Sequence, residues 1–223
     1  MVRHFDEELQ ELKSRLLQMA GMVEEIIAQS IEALKKRSKK QAEAVYVLDK
    51  KIDRFEIDIE ERCIDLIALR QPVGSDLRFL IGAIKINNDL ERMGDHAVNI
   101  ADSVLVLAEK PELKPLIDIP RMARLAIGML KDSLASFVDG AVAKARAVCT
   151  RDDEVDRLAA QVFRELLSFM IENPRTITPA TQLILVSRNL ERIADLSTNI
   201  CEDVIYINEA KVIKHHAEDR SKE

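Results

Sequence analysis

An all-α fold is predicted for this chain: two tandem three-helix antiparallel bundles related by internal duplication. Three observations predict it. The stretch Asn88–Asp102, NDLERMGDHAVNIAD, returns as Asn189–Asp203, NLERIADLSTNICED; Leu90, Glu91, Arg92, Asp95, Asn99 and Ile100 recur at a constant offset of 100 residues. Six identities in one register indicate a repeat, and a repeat decides the architecture. Apolar residues step by three or four along several long segments, the period of packed helices. Finally, the chain has only six glycines and six prolines, and every proline falls in a break or at a helix start, too few turn signals for a β fold.

The first helix is expected from about Phe5 to Arg37, with Leu9, Leu12, Leu16, Met19, Val23, Ile26, Ser30 and Ala33 as its seam. Acids open it (Asp6, Glu7, Glu8) and bases close it (Lys35, Lys36, Arg37), as the helix dipole favours. A break is expected near Ser38–Lys40. The second helix runs from about Lys40 to Leu69 on Leu48, Ile52, Phe55, Ile59, Cys63 and Leu66, beside an acidic stripe of Asp49, Asp53, Glu56 and Glu60. Gln71-Pro72-Val73-Gly74-Ser75 stops it, because proline cannot continue a helix interior, and Ser75 is a good cap for the next. The third helix, from about Asp76 to Ala108, carries the first repeat. Each is near 30 residues, about 45 Å at roughly 1.5 Å per residue, and short turns between matched lengths describe an antiparallel bundle.

Lys110–Pro120 holds Pro111, Pro115 and Pro120 and reads as a linker. The domains are therefore drawn as 1–109 and 121–210, with a linker at 110–120 and a polar tail at 211–223. The fourth helix starts near Pro120, with Met122, Leu125, Met129, Leu130, Leu134 and Phe137 as its seam, and bends at Asp139-Gly140. The fifth is expected as one helix from about Ala141 to Ile171. It carries Asp152 and Asp156, which match Asp49 and Asp53 at an offset of 103. Asn173-Pro174 breaks it, and the sixth runs from Thr178-Pro179 to about Ala210. The tail beyond is expected to fray.

Composition excludes several classes of function. A net charge of −6 and a sequence pI near 5.4 argue against nucleic acid, which wants a basic stripe. The basic run Lys35–Lys40 reads as a solvated helix end. Cys63, Cys149 and Cys201 are odd in number, widely spaced and without a CxxC, so reduced, buried thiols in a cytoplasmic protein are expected. The N-terminus lacks the apolar stretch of a secretory signal, and no apolar run reaches the roughly 18 residues of a membrane span. No phosphate-binding glycine loop, nucleophile elbow or Ser/His/Asp set appears, so no catalytic residue is assigned.

The chemistry lies in the acidic rows. With Ala83, Ile86, Leu90, Met93, Ala97, Ile100, Val104 and Leu107 forming a seam, Glu91, Asp95, Asn99 and Asp102 fall on the opposite face, expected toward solvent. In the second copy the seam is Leu183, Val186, Leu190, Ile193, Ser197, Ile200, Val204 and Ile207, and the row is Glu191, Asp195, Asn199 and Glu202. Acids at i and i+4 are neighbours on a helix. If the second and third helices lie side by side, Asp49 and Asp53 face Glu91, Asp95 and Asn99; Asp152 and Asp156 face Glu191, Asp195 and Asn199. Oxygen-only ligands suit hard cations such as magnesium, manganese or iron. Spacing alone leaves a second reading open: solvated acidic faces, with pairs such as Arg188 to Glu191, worth little. His96 projects away from Asp95 and reads as a surface or boundary residue. No Glu-x-x-His occurs, so the di-iron ferritin pattern is missing. His4, His215 and His216 suggest no site.

On LERMGDHAVNIAD and LERIADLSTNICED, on Leu48-Asp49-Lys50-Lys51-Ile52-Asp53, on Arg70-Gln71-Pro72-Val73-Gly74-Ser75-Asp76-Leu77-Arg78 and on the two-bundle duplication, the chain resembles the PhoU family over nearly its whole length. The resemblance implies two bundles with pseudo-twofold symmetry. It implies metal binding, in some members as multinuclear iron clusters, through Asp49, Asp53, Glu91 and Asp95 and through Asp152, Asp156, Glu191 and Asp195. The metal's identity stays open among iron, manganese, magnesium and zinc. It implies a non-enzymatic role in repressing the phosphate regulon and phosphate uptake. The partners implied are the phosphate ABC transporter's ATPase and the regulon's sensor histidine kinase, at the membrane's inner face, with dimers frequent. A metal-storage bundle without a signalling role is the alternative. One departure is visible: Ala194-Asp195-Leu196-Ser197 stands where the first copy has Gly94-Asp95-His96-Ala97.

Overall fold

A computed structural model describes residues 4–211. His215, His216 and almost all of the expected tail lie outside the described residues, as does the side chain of His4. The helices are α1 His4–Lys36, α2 Lys39–Arg70, α3 Ser75–Leu107, α4 Asp118–Asp139, α5 Val142–Cys149, α6 Asp152–Glu172 and α7 Ile177–Glu209. A single 3-10 turn, Pro174–Thr176, precedes α7. No described helix is long and apolar enough to cross a membrane.

The breaks form where local chemistry demands them. After α1, Arg37 takes a left-handed conformation (φ 51°), and Ser38 caps α2 by accepting from the Gln41 N–H at 3.3 Å. The Arg37 guanidinium donates to the carbonyls of Leu107 and Lys110, closing the C-terminal end of α3 against the α1–α2 turn. Gln71 ends α2 in the left-handed region with its N–H on the Ile67 carbonyl, and Gly74 (φ 62°) turns the chain into α3. Pro120 and Pro179 each stand third in their helices, within the first turn, where a missing N–H costs nothing.

Two expectations are corrected. Ser75 does not cap α3: Gly74 holds the cap position without a side-chain bond, and Ser75 is the first helical residue, its hydroxyl donating to Asp76 Oδ1 at 3.4 Å. The fifth helix is not continuous: α5 ends at Cys149 and α6 begins at Asp152. Thr150 and Arg151 stay near helical angles, but the Arg151 N–H bonds the Val148 carbonyl three residues back. Arg151 is turned onto α4, donating to Asp132 Oδ2 at 2.5 Å, with a guanidinium nitrogen 3.1 Å from where a Cβ on Gly128 would stand. Asp152, Asp153 and Glu154 then fill the first turn of α6, as its dipole favours.

α1, α2 and α3 pack on one another, as α4 and the α5–α6 pair do with α7. The two bundles join chiefly through α3 against α7, with a smaller contact of α1 with α4. Pairings of Arg78 with Ile207, Lys85 with Asp203 and His96 with Asn189 show that α3 and α7 run antiparallel. The whole expected seam of α3 is buried, and all of that of α7 except half-buried Ile207. Buried serines are satisfied within their own helices: Ser30 on the Ile27 carbonyl, Ser133 on that of Leu130, Ser197 on that of Ile193.

Candidate metal centres

The α2–α3 packing brings the first carboxylate set together. Asp49 is pushed up to about 6, first by burial and then by the charges of Asp53 and Asp95. Glu91 is pushed up to about 7, by burial and then by Asp95, Glu56, Asp53 and Asp49. Each group is thus held near several like charges from both helices. At Gly94 a Cβ would stand 3.4 Å from Asp49 Oδ1 and 3.5 Å from Ile52 Cδ1, in ordinary contact with both. Without a side chain at 94, the Asp49 carboxylate lies directly over the α3 backbone.

The second set forms between α6 and α7. Asp152 is pushed up to about 7, by burial and then by Asp195, Asp156, Asp153 and Glu191. Its Oδ1 is buried with no hydrogen-bond partner, a costly state for a carboxylate oxygen. Asp156 and Glu191 are also raised, chiefly by burial. A cleft of about 270 Å³ beside this set is lined by Asp156, Phe163, Arg164, Arg188 and Glu191 among others.

The two rows differ in exposure: in the first Asp95, Asn99 and Asp102 face solvent as expected and Glu91 is half-buried, whereas in the second Glu191, Asp195, Asn199 and Glu202 are all half-buried. Asp49, Asp53 and Asp152 are half-buried too, and Asp156 is exposed. Part of the face opposite each seam meets another helix, because α3 and α7 have neighbours on several sides. The two amides are placed differently. Asn99 is exposed on α3, one turn after Asp95. Asn199 lines a groove between the bundles with Glu56, Lys85, Asp89, Arg92 and Asp203. Glu56 and Asp153, in contrast, are brought into the two sets. Glu56 belongs to the acidic stripe of α2, seven residues after Asp49 and so on the same face.

The copies also differ in countercharge. Arg192 Nη1 donates to Asp195 Oδ2 at 2.9 Å, and Arg188 and Arg192 temper the rise of Glu191. In the first copy Asn88 replaces Arg188, and Arg92 turns to Asp89 at 3.5 Å. The first set therefore has less positive charge beside it.

The donor set fits a hard cation in charge and chemistry: crowded carboxylate oxygens, raised proton affinity and, at Asp152, an oxygen without a partner. Among the described residues, no group of three acids, histidines or cysteines converges on a common point. The sets are facing carboxylates across two helices rather than a closed cage. His96 stands apart, its Nδ1 2.8 Å from Asn189 Oδ1 across the bundle boundary.

A family model described as the PhoU domain matches residues 16–104 and again 119–204. A relative from Aquifex aeolicus (strain VF5), named phosphate-specific transport system accessory protein PhoU homolog, is 43% identical over 208 residues, covering 93% of this chain and 94% of the relative. One of the same name from Clostridium acetobutylicum is 40% identical over 210 residues, covering 94% and 96%. The crystal structure of PhoU from Pseudomonas aeruginosa is similar with a TM-score of 0.89 and 34% identity, covering 93% of this chain and 100% of that one. The phosphate transport system regulatory protein PhoU from Streptococcus pneumoniae gives a TM-score of 0.88 at 32% identity, covering 95% and 100%. Two domain matches that fall within α1–α3 and α4–α7, and relatives aligned along nearly the whole length, carry one conclusion: the chain belongs to the PhoU family.

Proposed function

We propose that this protein is a cytoplasmic accessory regulator of phosphate transport. It restrains phosphate uptake and the phosphate regulon by contacting the phosphate ABC transporter's ATPase and the regulon's sensor histidine kinase. It works as a homodimer, held at the membrane only through those partners. The names of the aligned relatives support the phosphate-transport part of this reading.

The observation that carries the metal part is the duplicated crowding of carboxylates across α2–α3 and α6–α7. Asp49, Asp53, Glu91 and Asp95 would hold one hard cation or more, and Asp152, Asp156, Glu191 and Asp195 the other set. A bound cation supplies positive charge between facing helices and thereby fixes their relative position. The chain's own contribution is to hold the acids half-buried and close. That placement raises their proton affinity and makes a cation a favourable replacement for the proton.

Pull-downs against the transporter ATPase and the histidine kinase test this reading, with metal analysis of the same samples. The expected result is capture of both by the wild type. Glu91→Ala/Asp95→Ala and Glu191→Ala/Asp195→Ala should lose metal and weaken at least one capture. Capture of neither partner by the wild type would overturn the signalling role. Full capture by metal-free variants would detach the cation from it.

A further inference from the structure

The cleft between α6 and α7 is bipolar. The two helices form a hairpin through the 173–176 turn. Asp156 and Glu191 line the cleft where it borders the second carboxylate set, and Arg164 and Arg188 line the rest. Arg164 stands eight residues after Asp156 on α6, about 12 Å along the axis, and Arg188 three residues before Glu191 on α7. Both arginines are exposed. Among the described residues, neither guanidinium makes an ion pair or a hydrogen bond, whereas Arg192 is tied to Asp195 at 2.9 Å. Phe163 and Ile184 add apolar walls. Ser187, also lining the cleft, is buried, and its hydroxyl donates only to the Met122 sulfur at 3.5 Å, a weak acceptor.

The first bundle has the equivalent groove with the opposite charge. It is lined by Glu56, Glu60, Ile84 and Asn88 among others. At repeat offsets of 103 for α2 and α6 and 100 for α3 and α7, these correspond to Ala159, Phe163, Ile184 and Arg188, and Glu61 corresponds to Arg164. Both copies keep the groove, so helix packing does not require the arginines. Two unpaired guanidiniums on facing helices do suit an oxyanion, because each presents N–H donors in a planar fork. One fork satisfies a carboxylate. Two, from opposite walls, match a dianion with oxygens on more than one side, as in phosphate. The volume, about 270 Å³, suits a small ligand.

We propose that Arg164 and Arg188 form a site for a phosphate-type dianion, free or as the head of a small monoester whose body lies on Phe163. The site belongs to the second bundle alone. A cation on the adjacent acids cancels the negative end of the cleft, so anion and cation bind with positive, reciprocal coupling. That coupling rests on the cation proposed for the second set; the arginine site does not.

Equilibrium dialysis of the full chain at pH 7 tests this, with inorganic phosphate and, in parallel, phenyl phosphate, each with and without magnesium(II). The wild type should take up the anion saturably, and about tenfold more tightly with magnesium, within the usual range of coupling between sites. Arg164→Gln/Arg188→Gln should lose the anion in both conditions yet keep its helical spectrum and its magnesium uptake. Arg124→Gln removes an exposed charge on α4, outside the cleft, and should bind as the wild type does. Phenyl phosphate held more tightly, with Phe163→Ala erasing the difference, assigns the site to monoesters; the reverse order assigns it to free phosphate. No anion uptake by the wild type with magnesium bound, uptake unchanged in the double variant, or equal loss in Arg124→Gln overturns the proposal. Absence of magnesium uptake overturns the cation site and the coupling, and the magnesium-free dialysis then decides the arginine site.

Discussion

Lys85 of α3 reaches Asp203 of α7, Nζ to Oδ1 at 3.3 Å, with the lysine half-exposed and the aspartate almost wholly buried. The same ammonium lies 5.3 Å from the Tyr206 ring centre. At the repeat-equivalent positions stand Leu185 and Ser103, so this pair is not duplicated. The bundle boundary is thus built from an asymmetric set of polar links on a symmetric pair of helices. Lys85→Met keeps the apolar stem and removes the charge. It should cost about 1.5–3 kcal/mol, the value of a hydrogen bond to a charged group, read as a lower Tm in thermal unfolding. An unchanged Tm would show that Asp203 does not depend on Lys85.

Two helical glycines should respond in opposite directions to alanine. A Cβ on Gly82 would stand 2.7 Å from Ile207 Cγ1, inside contact distance, where α3 packs on α7. Gly82→Ala should destabilise by about 1–2 kcal/mol, the overpacking cost less the helix-propensity gain. Ile207→Val in the same chain should return part of it. Gly21 in α1 has nothing within 4 Å of its Cβ position, so Gly21→Ala should stabilise by about 0.5–1 kcal/mol. Denaturant midpoints at equal m-value check all three.

The cation-free protein should become more stable on mild acidification. Asp49, Glu91 and Asp152 stand at about 6, 7 and 7 when folded, above their ordinary values of 3.8, 4.5 and 3.8. Between those limits the folded state binds more protons than the unfolded chain, so stability falls as pH rises from about 5 to 7. Below about pH 4 the trend reverses for groups such as Asp132, held low by Arg151 and Lys144. Tm measured against pH in chelator should therefore peak on the acid side of neutrality. Glu91→Gln should flatten the fall near pH 7. A Tm that rises steadily from pH 5 to 7.5 would contradict the crowding of these acids.

Gly94→Ala tests the departure between the repeats. The added methyl group makes ordinary contact with Asp49 Oδ1 and Ile52, and Ala194 is already tolerated in the second copy. The fold should keep its stability to within about 1 kcal/mol, helped by helix propensity. Asp49, further shielded from water, should titrate still higher, a shift that carboxylate NMR titration would register.

Much of this was legible in the sequence because periodicity reports one buried face per helix. The seams of α1, α3 and α7 and the breaks at Ser38 and at Gln71–Ser75 follow from it. The kink at Thr150–Arg151 did not, because matching Asp152 to Asp49 implied an unbroken helix like α2. The signal was present in Asp152-Asp153-Glu154, an acidic first turn that marks a helix start. The acidic rows were found, and the exposure expected of them holds for Asp95, Asn99 and Asp102 but not for Glu91 or for the second copy. A period names the face away from one neighbour and is blind to a second, so half-burial of Glu91 and Asp195 needed the three-dimensional packing.

Calorimetric titration of the metal-free protein with manganese(II) at pH 7 tests the central claim most directly. The account expects saturable binding by the wild type, loss of one class of sites in Glu91→Ala/Asp95→Ala, loss of the other in Glu191→Ala/Asp195→Ala, and no binding when all four are replaced. Binding of undiminished heat and stoichiometry in the fourfold variant, with the fold intact, would contradict it.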